Sequence, residues 1–367
     1  MTSPFLKILG STLSGPGYKA QPYIPVFELT RGEAVESIHY GAIAVVDAHA
    51  RLAAWYGDPQ AVTYLRSSAK PLQALPFIEH GGQAAFGLTL REISLMCASH
   101  SGTDDHVAVL RSIQLKVGLS ESDLMCGFHP LSHGPTVEAM RQRGESVSPN
   151  RHNCSGKHTG MMAHARLHDW PIADYINPSH PVQQEILQTF IEMCGLPGEQ
   201  VRHGTDGCSA PNFAVPLRSA ALAFARLADP ESMSPARATA CRTITTAMTS
   251  HPDMVGGPDS FDTLLMQVAG GRIVCKGGAE GYQVLGLLPG ACGPDSPALG
   301  IALKISEGDQ RGQVRQAVTL EVLRQLGAIS PAELQTLAKF GPAYQLYNWR
   351  KLLVGEARTC FQLEFER

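Results

Sequence analysis

The chain has 367 residues, of which 44% are hydrophobic and 17% are charged, and its formal net charge is -3. A chain of this length and apolar content can bury a large core, and we expect a compact structure with two lobes. The sequence has no run of lysines and arginines, which a nucleic-acid or anionic-membrane surface would require. The composition therefore argues against these two classes and favours a small molecule as the partner.

Neither a targeting signal nor a disulfide framework is indicated. The apolar patch within residues 1–20 is too short for a signal peptide, and no apolar run approaches the length of a membrane span. The nine cysteines form an odd, scattered set without a CxxC pair, which is typical of reduced thiols, most of them small core residues. We therefore expect a soluble, cytoplasmic protein.

Strand patterns come first along the chain, and helical patterns follow. Residues 22–56 contain three β-rich segments separated by short polar pieces, which predicts an antiparallel meander. Between residues 90 and 250, apolar residues recur at steps of three and four, which predicts helices. Residues 181–194 are an example, with a proline at the start and Gly195 after the end. The apolar stripe of this helix consists of Val182, Ile186, Phe190 and Cys194.

Strand patterns return near the end of the chain, at 272–289 and 297–306, before a last helical pattern. Strands at both ends with helices between them predict one antiparallel sheet built from the two ends. The predicted domains are a sheet domain from 1–88 and 251–367 and a mainly helical lobe from 89–250. We expect the active site in the cleft between them.

The segment RSSAKPLQALP sets Ser67 three residues before Lys70, with Pro71 directly after the lysine. Residues three apart on a helix share a face, so the Lys70 amine can take a proton from the Ser67 hydroxyl. Since proline is tolerated in the first turn of a helix, we expect Ser67 in that turn, where unpaired backbone N–H groups suit an oxyanion. The pattern predicts an acyl-transfer nucleophile, and its structural alternative is a capped surface helix.

A second serine and a second lysine follow in the same order as in a known group of enzymes. Ser99, in CASHSG, comes after a helical stretch, and Lys276, in VCKGGAEG, ends a predicted strand. This order resembles that of serine β-lactamases, penicillin-binding proteins and serine-dependent glutaminases. The SxN motif and the hydroxyl residue after the last lysine are missing, which argues against β-lactam chemistry. Taken singly, Ser99 and Lys276 also fit a loop hydroxyl and a solvated strand-end charge.

Two polar, glycine-containing segments carry possible metal ligands. RHNCSGKHTGMM holds Cys154 and Lys157, and HGTDGCSAPNF holds Asp206 and Cys208. Thiolates and imidazoles are soft ligands, and glycine lets the backbone approach closely, so the segments predict a metal or substrate site. The spacing of a zinc finger is missing, and buried thiols in turns are the alternative.

Six segments in order resemble the motifs of the Rhizobium etli type (class 3) L-asparaginases. The segments are RSSAKPLQALP, MCASHSG, HNCSGKHTGM, DGCSAPNFAVP, HPDMVGGPDSFDT and CKGGAEG. They span residues 66–281, and the chain length fits that family. The resemblance implies an α/β (α+β) fold of the β-lactamase and glutaminase type, with an antiparallel sheet flanked by helices and a helical lobe. It also implies a homodimeric amidohydrolase that converts L-asparagine to L-aspartate and ammonia.

The resemblance also assigns the catalytic residues. Ser67 matches the nucleophile and Lys70 its partner, while Ser99 and Lys276 match a second Ser-Lys pair. The expected reaction passes through an acyl-enzyme on Ser67, with neutral Lys70 as the base. Ser99, relayed from Lys276, is then expected to protonate the leaving ammonia.

Ligand positions follow from the same resemblance. Cys154, Lys157 and Cys208 match the positions that hold a zinc ion, with lysine as an unusual ligand and water completing the shell. We expect this Zn²⁺ to be structural or substrate-orienting rather than directly catalytic. Arg66 and Asp206 match substrate-binding positions, and we expect them to take the α-carboxylate and the α-ammonium of the substrate.

Two alternatives remain open at the level of sequence. One is another Ser-Lys amidase, glutaminase or esterase on the same fold, since the chemistry does not name its acyl donor. The other is a non-catalytic protein that binds an amino acid without turnover.

Overall fold

A computed structural model of the protein describes residues 22–310 and 312–366, so the interpretation of residues 1–20 lies outside the described part of the chain. The strands are β1 (Ile24–Arg31), β2 (Ala34–Asp47), β3 (Leu52–Tyr56), β4 (Val62–Tyr64), β5 (Arg202–Thr205), β6 (Pro211–Pro216), β7 (Ile273–Gly278), β8 (Tyr282–Leu287), β9 (Leu299–Ile305), β10 (Ala343–Tyr347), β11 (Leu353–Thr359) and β12 (Glu364–Phe365).

The helices alternate with these strands and are concentrated in the middle of the chain. They are α1 (Lys70–Glu79), α2 (Gly82–Ala85), α3 (Leu90–Met96), α4 (Asp104–Val117), α5 (Gly134–Arg143), α6 (Ser155–Leu167), α7 (Pro181–Cys194), α8 (Leu217–Ala228), α9 (Pro235–Ser250), α10 (Pro252–Gly256), α11 (Phe261–Ala269), α12 (Val314–Gln325) and α13 (Pro331–Thr336).

A nine-stranded antiparallel sheet dominates the fold. Its main path runs β10-β11-β1-β2-β9-β8-β7, while β3 pairs with β2 and β12 pairs with β3. The predicted N-terminal meander is confirmed, because β1 pairs with β2 and β2 pairs with β3, both antiparallel. Strands from the two ends of the chain meet where Phe27 lies opposite Thr359. The prediction of an antiparallel sheet flanked by helices is therefore confirmed, and the exact domain boundaries stay a prediction.

A small second sheet has three strands in the order β4-β6-β5. Tyr64 of β4 pairs with Ala214 of β6, and Thr205 of β5 pairs with Pro211 of the same strand. Both outer strands end directly before a polar segment. The sheet therefore brings the chain just after Tyr64 close to the chain just after Thr205.

The helix predicted at 181–194 is confirmed as α7. His180 caps its N-terminus by accepting the Val182 N–H, and Gly195 ends it with a left-handed φ of 63°. The predicted apolar stripe faces the core, because each of its four side chains is at most 1% exposed. The prolines and glycines at its ends, together with the stripe, explain why the sequence specified this helix.

Helix α8 packs directly on the large sheet. An alanine Cβ at Gly300 of β9 would overlap the Ala221 carbonyl oxygen, and one at Gly286 of β8 would lie 2.8 Å from the Phe224 carbonyl oxygen. The two glycines therefore permit the helix backbone to approach the strands more closely than any side chain would allow. This contact packs α8, which belongs to the helical middle of the chain, against the sheet.

The cysteines agree with the prediction of reduced thiols. All nine cysteines lie in the described residues as free thiols, and seven of them are buried. Within residues 22–310 and 312–366, no helix combines the length and the apolar character that crossing a membrane demands.

The contact of α8 with β9 yields a stability prediction. We expect Gly300→Ala to lower the free energy of unfolding by about 3 kcal/mol, because the new Cβ would force the helix away from the strand. Chemical denaturation of parent and variant measures the difference.

Gly134→Ala is the matched control, because Gly134 opens α5 and no atom lies within 4 Å of its added Cβ. We expect its stability to stay within about 1 kcal/mol of the parent. Equal stability of the two variants would show that α8 and β9 adjust without cost.

Candidate functional site

The turn that holds Ser67 is a 3-10 helix, Arg66–Ala69, and α1 begins only at Lys70. Ser67 was expected in the first turn of the α-helix, and it lies one turn earlier. Arg66 starts the turn with a left-handed φ of 53°, and its N–H donates to Asn212 Oδ1 over 3.1 Å. A non-glycine residue in this conformation is strained, so the surrounding contacts have to hold it.

The same turn is attached to strand β7. Ser68 Oγ donates to the Lys276 carbonyl over 2.9 Å. A Cβ on Gly278 would lie 2.5 Å from the Leu65 carbonyl oxygen, so only glycine allows the strand to pass this close to the turn. The turn carrying Ser67 is thereby held beside Lys276, although 208 residues separate Ser68 from that lysine.

Ser99 lies between two buried lysines. Lys70 Nζ donates to Ser99 Oγ over 2.9 Å, and Lys276 Nζ donates to the same oxygen over 3.0 Å. Both lysines are only 1% exposed. Ser99 follows α3 and is fixed by its own N–H, which donates to the Val255 carbonyl over 2.8 Å. The structure therefore brings together three of the four residues proposed for catalysis.

Lys70 makes further contacts that set its position. Its Nζ donates to the Ala98 carbonyl over 2.6 Å and to the Asn153 carbonyl over 3.2 Å. No hydrogen bond links Lys70 Nζ to Ser67 Oγ, both of which the structure describes. The three N–H groups of the amine are thus directed at two carbonyls and at Ser99.

Lys276 lies in a setting that disfavours its charged form. Burial is the largest influence and lowers its pKa, Asp262 opposes this, Lys70 and Arg315 lower it again, and the pKa is about 8. Asp262 Oδ2 lies 3.8 Å from Lys276 Nζ and accepts the Gly277 N–H over 2.6 Å. The lowered pKa makes the neutral amine form of Lys276, which can accept a proton, available at mildly alkaline pH.

A cavity of about 380 Å³ opens at these residues. Ser67, Ser99 and Lys276 all line it, together with Gly277 and Arg315. A second cavity of about 390 Å³ also includes Ser99 and continues past it. Ser67 therefore shares a substrate-sized space with the lysine–serine network.

Arg66 and Asp206 form an ion pair next to Ser67, with 2.7 Å between Arg66 Nε and Asp206 Oδ1. Burial raises the pKa of Asp206, but Lys157 and Arg66 outweigh it and the net pKa is lowered. The small sheet brings the two side chains together, because Arg66 follows β4 closely and Asp206 follows β5 directly. Both residues predicted to bind substrate are thus side by side.

The three residues proposed to hold zinc are also together and buried. Lys157 Nζ donates to Cys208 Sγ over 2.9 Å. The hydrogen bond from Cys208 is the largest influence on the pKa of Cys154 and lowers it. Burial raises this pKa, the charges of Lys70 and Lys157 lower it, and the net pKa lies well below its ordinary value. Burial lowers the pKa of Lys157, but Cys154 and Cys208 outweigh it and the net pKa is raised.

This arrangement fits a zinc ion chemically. Two sulfurs and one amine converge at the N-terminal end of α6, and such a set leaves a fourth tetrahedral position open. Without metal, the Lys157 amine donates to Cys208 Sγ, and its raised pKa favours the ammonium form. Zinc would therefore have to displace the proton of Lys157.

Asn153 connects the proposed zinc ligands to the lysine–serine network, through Cys154 and Lys70. Its carbonyl accepts from Lys70, and its side-chain Oδ1 lies 3.2 Å from Cys154 Sγ. Cys208 Sγ in turn lies 3.7 Å from Asp206 Oδ2. The residues predicted separately from the sequence therefore belong to one connected network.

Three histidines beside the motifs, for which the sequence suggested no role, stabilise this network. His100 Nε2 lies 2.9 Å from Ser155 Oγ, and His158 Nδ1 lies 2.7 Å from the hydroxyl of Tyr175. His152 Nδ1 accepts the Cys154 N–H over 2.9 Å. They fix the chain around the site.

Sequence reasoning missed Asp262, Asn212 and Asn153 as contributors to the site. All three lie inside segments that were quoted for the resemblance, so the motifs themselves contained the signal. Their roles depend on contacts with residues far away in sequence, such as Asp262 with Lys276 and Asn212 with Arg66. A linear pattern does not contain such contacts.

The model of the L-asparaginase II family matches residues 27–359. The chain belongs to this family. The predicted relationship to an L-asparaginase family is thereby confirmed, and the protein is an amidohydrolase. The match covers every element of the site described above. No curated protein matches the chain in sequence.

Two glutaminases are among the solved structures similar to this chain. A Bacillus subtilis glutaminase, YbgJ, in a covalent complex with 5-oxo-L-norleucine is 10% identical, with 79% of this chain and 89% of that chain covered and a TM-score of 0.36. A Bacillus glutaminase determined in 4.3 M NaCl is 12% identical, with 74% and 84% covered and a TM-score of 0.31.

Proposed function

We propose that the protein is an L-asparaginase that hydrolyses L-asparagine to L-aspartate and ammonia through an acyl-enzyme. The observation that carries the proposal is the position of Ser99 Oγ, 2.9 Å from Lys70 Nζ and 3.0 Å from Lys276 Nζ, in a cavity that Ser67 also lines. A hydroxyl held by two buried amines is suited to moving protons.

In the proposed mechanism, Ser67 Oγ attacks the side-chain amide carbon of the substrate. The Ser67 proton enters the Lys70–Ser99–Lys276 network, in which Lys276 has a pKa of about 8 and supplies a neutral amine. The Ser67 N–H stabilises the oxyanion. The network then returns the proton to the leaving ammonia, and water hydrolyses the acyl-enzyme by the reverse route.

Arg66 and Asp206 are proposed to hold the α-groups of the substrate. An amino acid carries both charges, so its carboxylate can bind Arg66 while its ammonium binds Asp206. The 2.7 Å ion pair between these residues supports this role, because the free site already holds matching charges side by side. Arg66 directly precedes Ser67, and Asp206 pairs with Arg66. The two residues therefore set the distance from the α-groups of the substrate to the nucleophile.

Cys154, Lys157 and Cys208 are proposed to hold a zinc ion. The ion would supply a fixed positive charge that orders the segment of Asp206 and so orients the substrate. The 3.7 Å separation of Cys208 Sγ from Asp206 Oδ2 supports a structural or orienting role. The Ser-Lys groups provide the nucleophile and the base.

A homodimer is proposed from the family resemblance, and a cytoplasmic location from the sequence. The exposed apolar side chains at the end of β10 and the start of β11 support an interface there, since Tyr347 is 55% and Leu353 is 59% exposed. Light scattering of the purified protein measures its mass in solution.

The identity of the nucleophile gives the first functional prediction. We expect Ser67→Ala to reduce ammonia release from L-asparagine by at least about a thousandfold, because the acyl-enzyme cannot form. A diazoketone analogue of asparagine should alkylate Ser67 in the parent, and peptide mass mapping locates the adduct.

Ser99→Ala separates the nucleophile from the proton relay. We expect this variant to lose activity while Ser67 retains at least slow labelling. Labelling of Ser99 in the parent would assign the attack to Ser99 instead, and tight asparagine binding without ammonia release would favour an amino-acid-binding protein.

Substrate length gives the second functional prediction. We expect kcat/KM for L-asparagine to exceed that for L-glutamine by at least about tenfold, because α-group anchoring at Arg66 and Asp206 fixes the reach to Ser67. Parallel ammonia assays with both amino acids measure the ratio. A ratio near one, or a preference for glutamine or a simple ester, would instead support the alternative of another Ser-Lys amidase, glutaminase or esterase.

The pH dependence follows from Lys276. Since only its neutral form accepts a proton, kcat/KM for asparagine should rise with pH through about 8 and then level. Asp262 raises the pKa of Lys276, so Asp262→Asn should lower that pKa and move the rise to lower pH by roughly one unit. The pH profiles of kcat/KM for parent and variant measure the shift.

Asp259→Asn is the control for this shift. Asp259 is a nearby carboxylate that pairs with Lys339 over 3.3 Å and whose side chain is 82% exposed, and the main charges that shift the pKa of Lys276 do not include it. Its profile should match the parent. If Asp262→Asn leaves the rise in place or moves it to higher pH, Lys276 is not the titrating group.

A further inference from the structure

Three helices meet at a cluster of metal-binding side chains away from the catalytic network. His80 directly follows α1, His164 lies in the last turn of α6 with His168 directly after it, and Glu185 lies in α7. His164 and His168 are four residues apart and share one face of α6. Helix α1 separates this cluster from Lys70 by ten residues, or about 15 Å.

The donor atoms of the four side chains converge. One ligand atom from each residue lies within 4.8 Å of all the others. His80 Nδ1 is 2.8 Å from His168 Nε2, His164 Nε2 is 2.6 Å from Glu185 Oε2, and His80 Nδ1 is 3.8 Å from Glu185 Oε2. Around a tetrahedral zinc ion with bonds of about 2.0–2.1 Å, neighbouring ligand atoms are about 3.3 Å apart. Side-chain shifts below about 1 Å are therefore sufficient to admit a metal.

The rings are held in place before any metal binds. The His164 side chain is 2% exposed, and its other nitrogen, Nδ1, is buried without a hydrogen-bond partner among the described residues. Among the described residues, the hydrogen bond of that ring is therefore made by Nε2 with Glu185, inside the cluster. Trp170 stacks on His168 with ring centroids 4.5 Å apart, while His80, 37% exposed, leaves the cluster open to solvent.

Charge and ligand type select the class of ion. The cluster lies at the C-terminal ends of α1 and α6, and helix C-termini favour cations. Three imidazoles and one carboxylate suit zinc and the neighbouring late first-row divalent ions, whereas calcium and magnesium prefer oxygen ligands.

We propose that His80, His164, His168 and Glu185 form a second metal site, for zinc or another late first-row divalent cation. The bound ion would join the C-terminal ends of α1 and α6 to α7. The opposite ends of α1 and α6 carry Lys70 and Lys157, so the site would fix two helices whose other ends form the catalytic network.

The test is an equilibrium titration of the metal-stripped full-length protein with zinc, read by competition with a chromophoric chelator. We expect two sites per chain in the parent and one in His168→Gln, with the lost site weakened by more than about 100-fold. His80→Asn provides a second variant at a solvent-exposed position. His49→Asn, an exposed loop histidine elsewhere, should bind as the parent does.

Cys208→Ser distinguishes this site from the thiol site. We expect it to keep the histidine site, and cobalt bound to that variant should show visible d–d absorption without a sulfur-to-cobalt charge-transfer band. If the parent binds one ion, retained in Cys208→Ser and lost in His168→Gln, the histidine site stands and the thiol site fails. Zinc binding that is unchanged in both histidine variants, or that Cys208→Ser abolishes entirely, would overturn the histidine site.

Discussion

Two buried lysine amines share a single serine oxygen, and the rest of the site follows from this contact. Lys70 and Lys276 are each 1% exposed and each within 3.0 Å of Ser99 Oγ. Positive charges this close repel strongly away from water, so the chain has to surround them with acceptors. The carbonyls of Ala98, Asn153 and Gly277 provide three of these acceptors, and each belongs to a segment that also carries part of the site.

The secondary structure places those segments with few residues. Helix α1 starts at Lys70, α6 starts directly after Cys154, and β7 ends just beyond Lys276. Helix starts and strand ends leave unpaired backbone groups, which explains why functional side chains occur there. The small sheet then adds Arg66 and Asp206, which follow two of its strands. The site is thus assembled from the ends of regular elements, which position side chains more rigidly than long loops do.

The sequence predicted much of this arrangement, and the missing part has physical reasons. The meander and α7 were predictable because apolar periodicity and the helix-end residues agree. The segments around Ser67, Ser99 and Lys276 were recognisable from their order. The sharing of Ser99 by both lysines, the left-handed Arg66 and the role of Asp262 were not predictable, since each arises from a contact between segments. The histidine cluster escaped notice because its four residues come from three separate helices.

The pairing of β1 with β11 and of β2 with β9 matters during protein synthesis. The first strands leave the ribosome long before their partners, so both edges of the early meander wait without hydrogen-bonded neighbours. Contacts between such distant segments form slowly, and exposed strand edges attract other chains. Lys276 reaches its position only when β7 joins the sheet through β8 and β9. A nascent chain therefore stays without Lys276, the lysine proposed for catalysis, in place until most of the sequence has been translated.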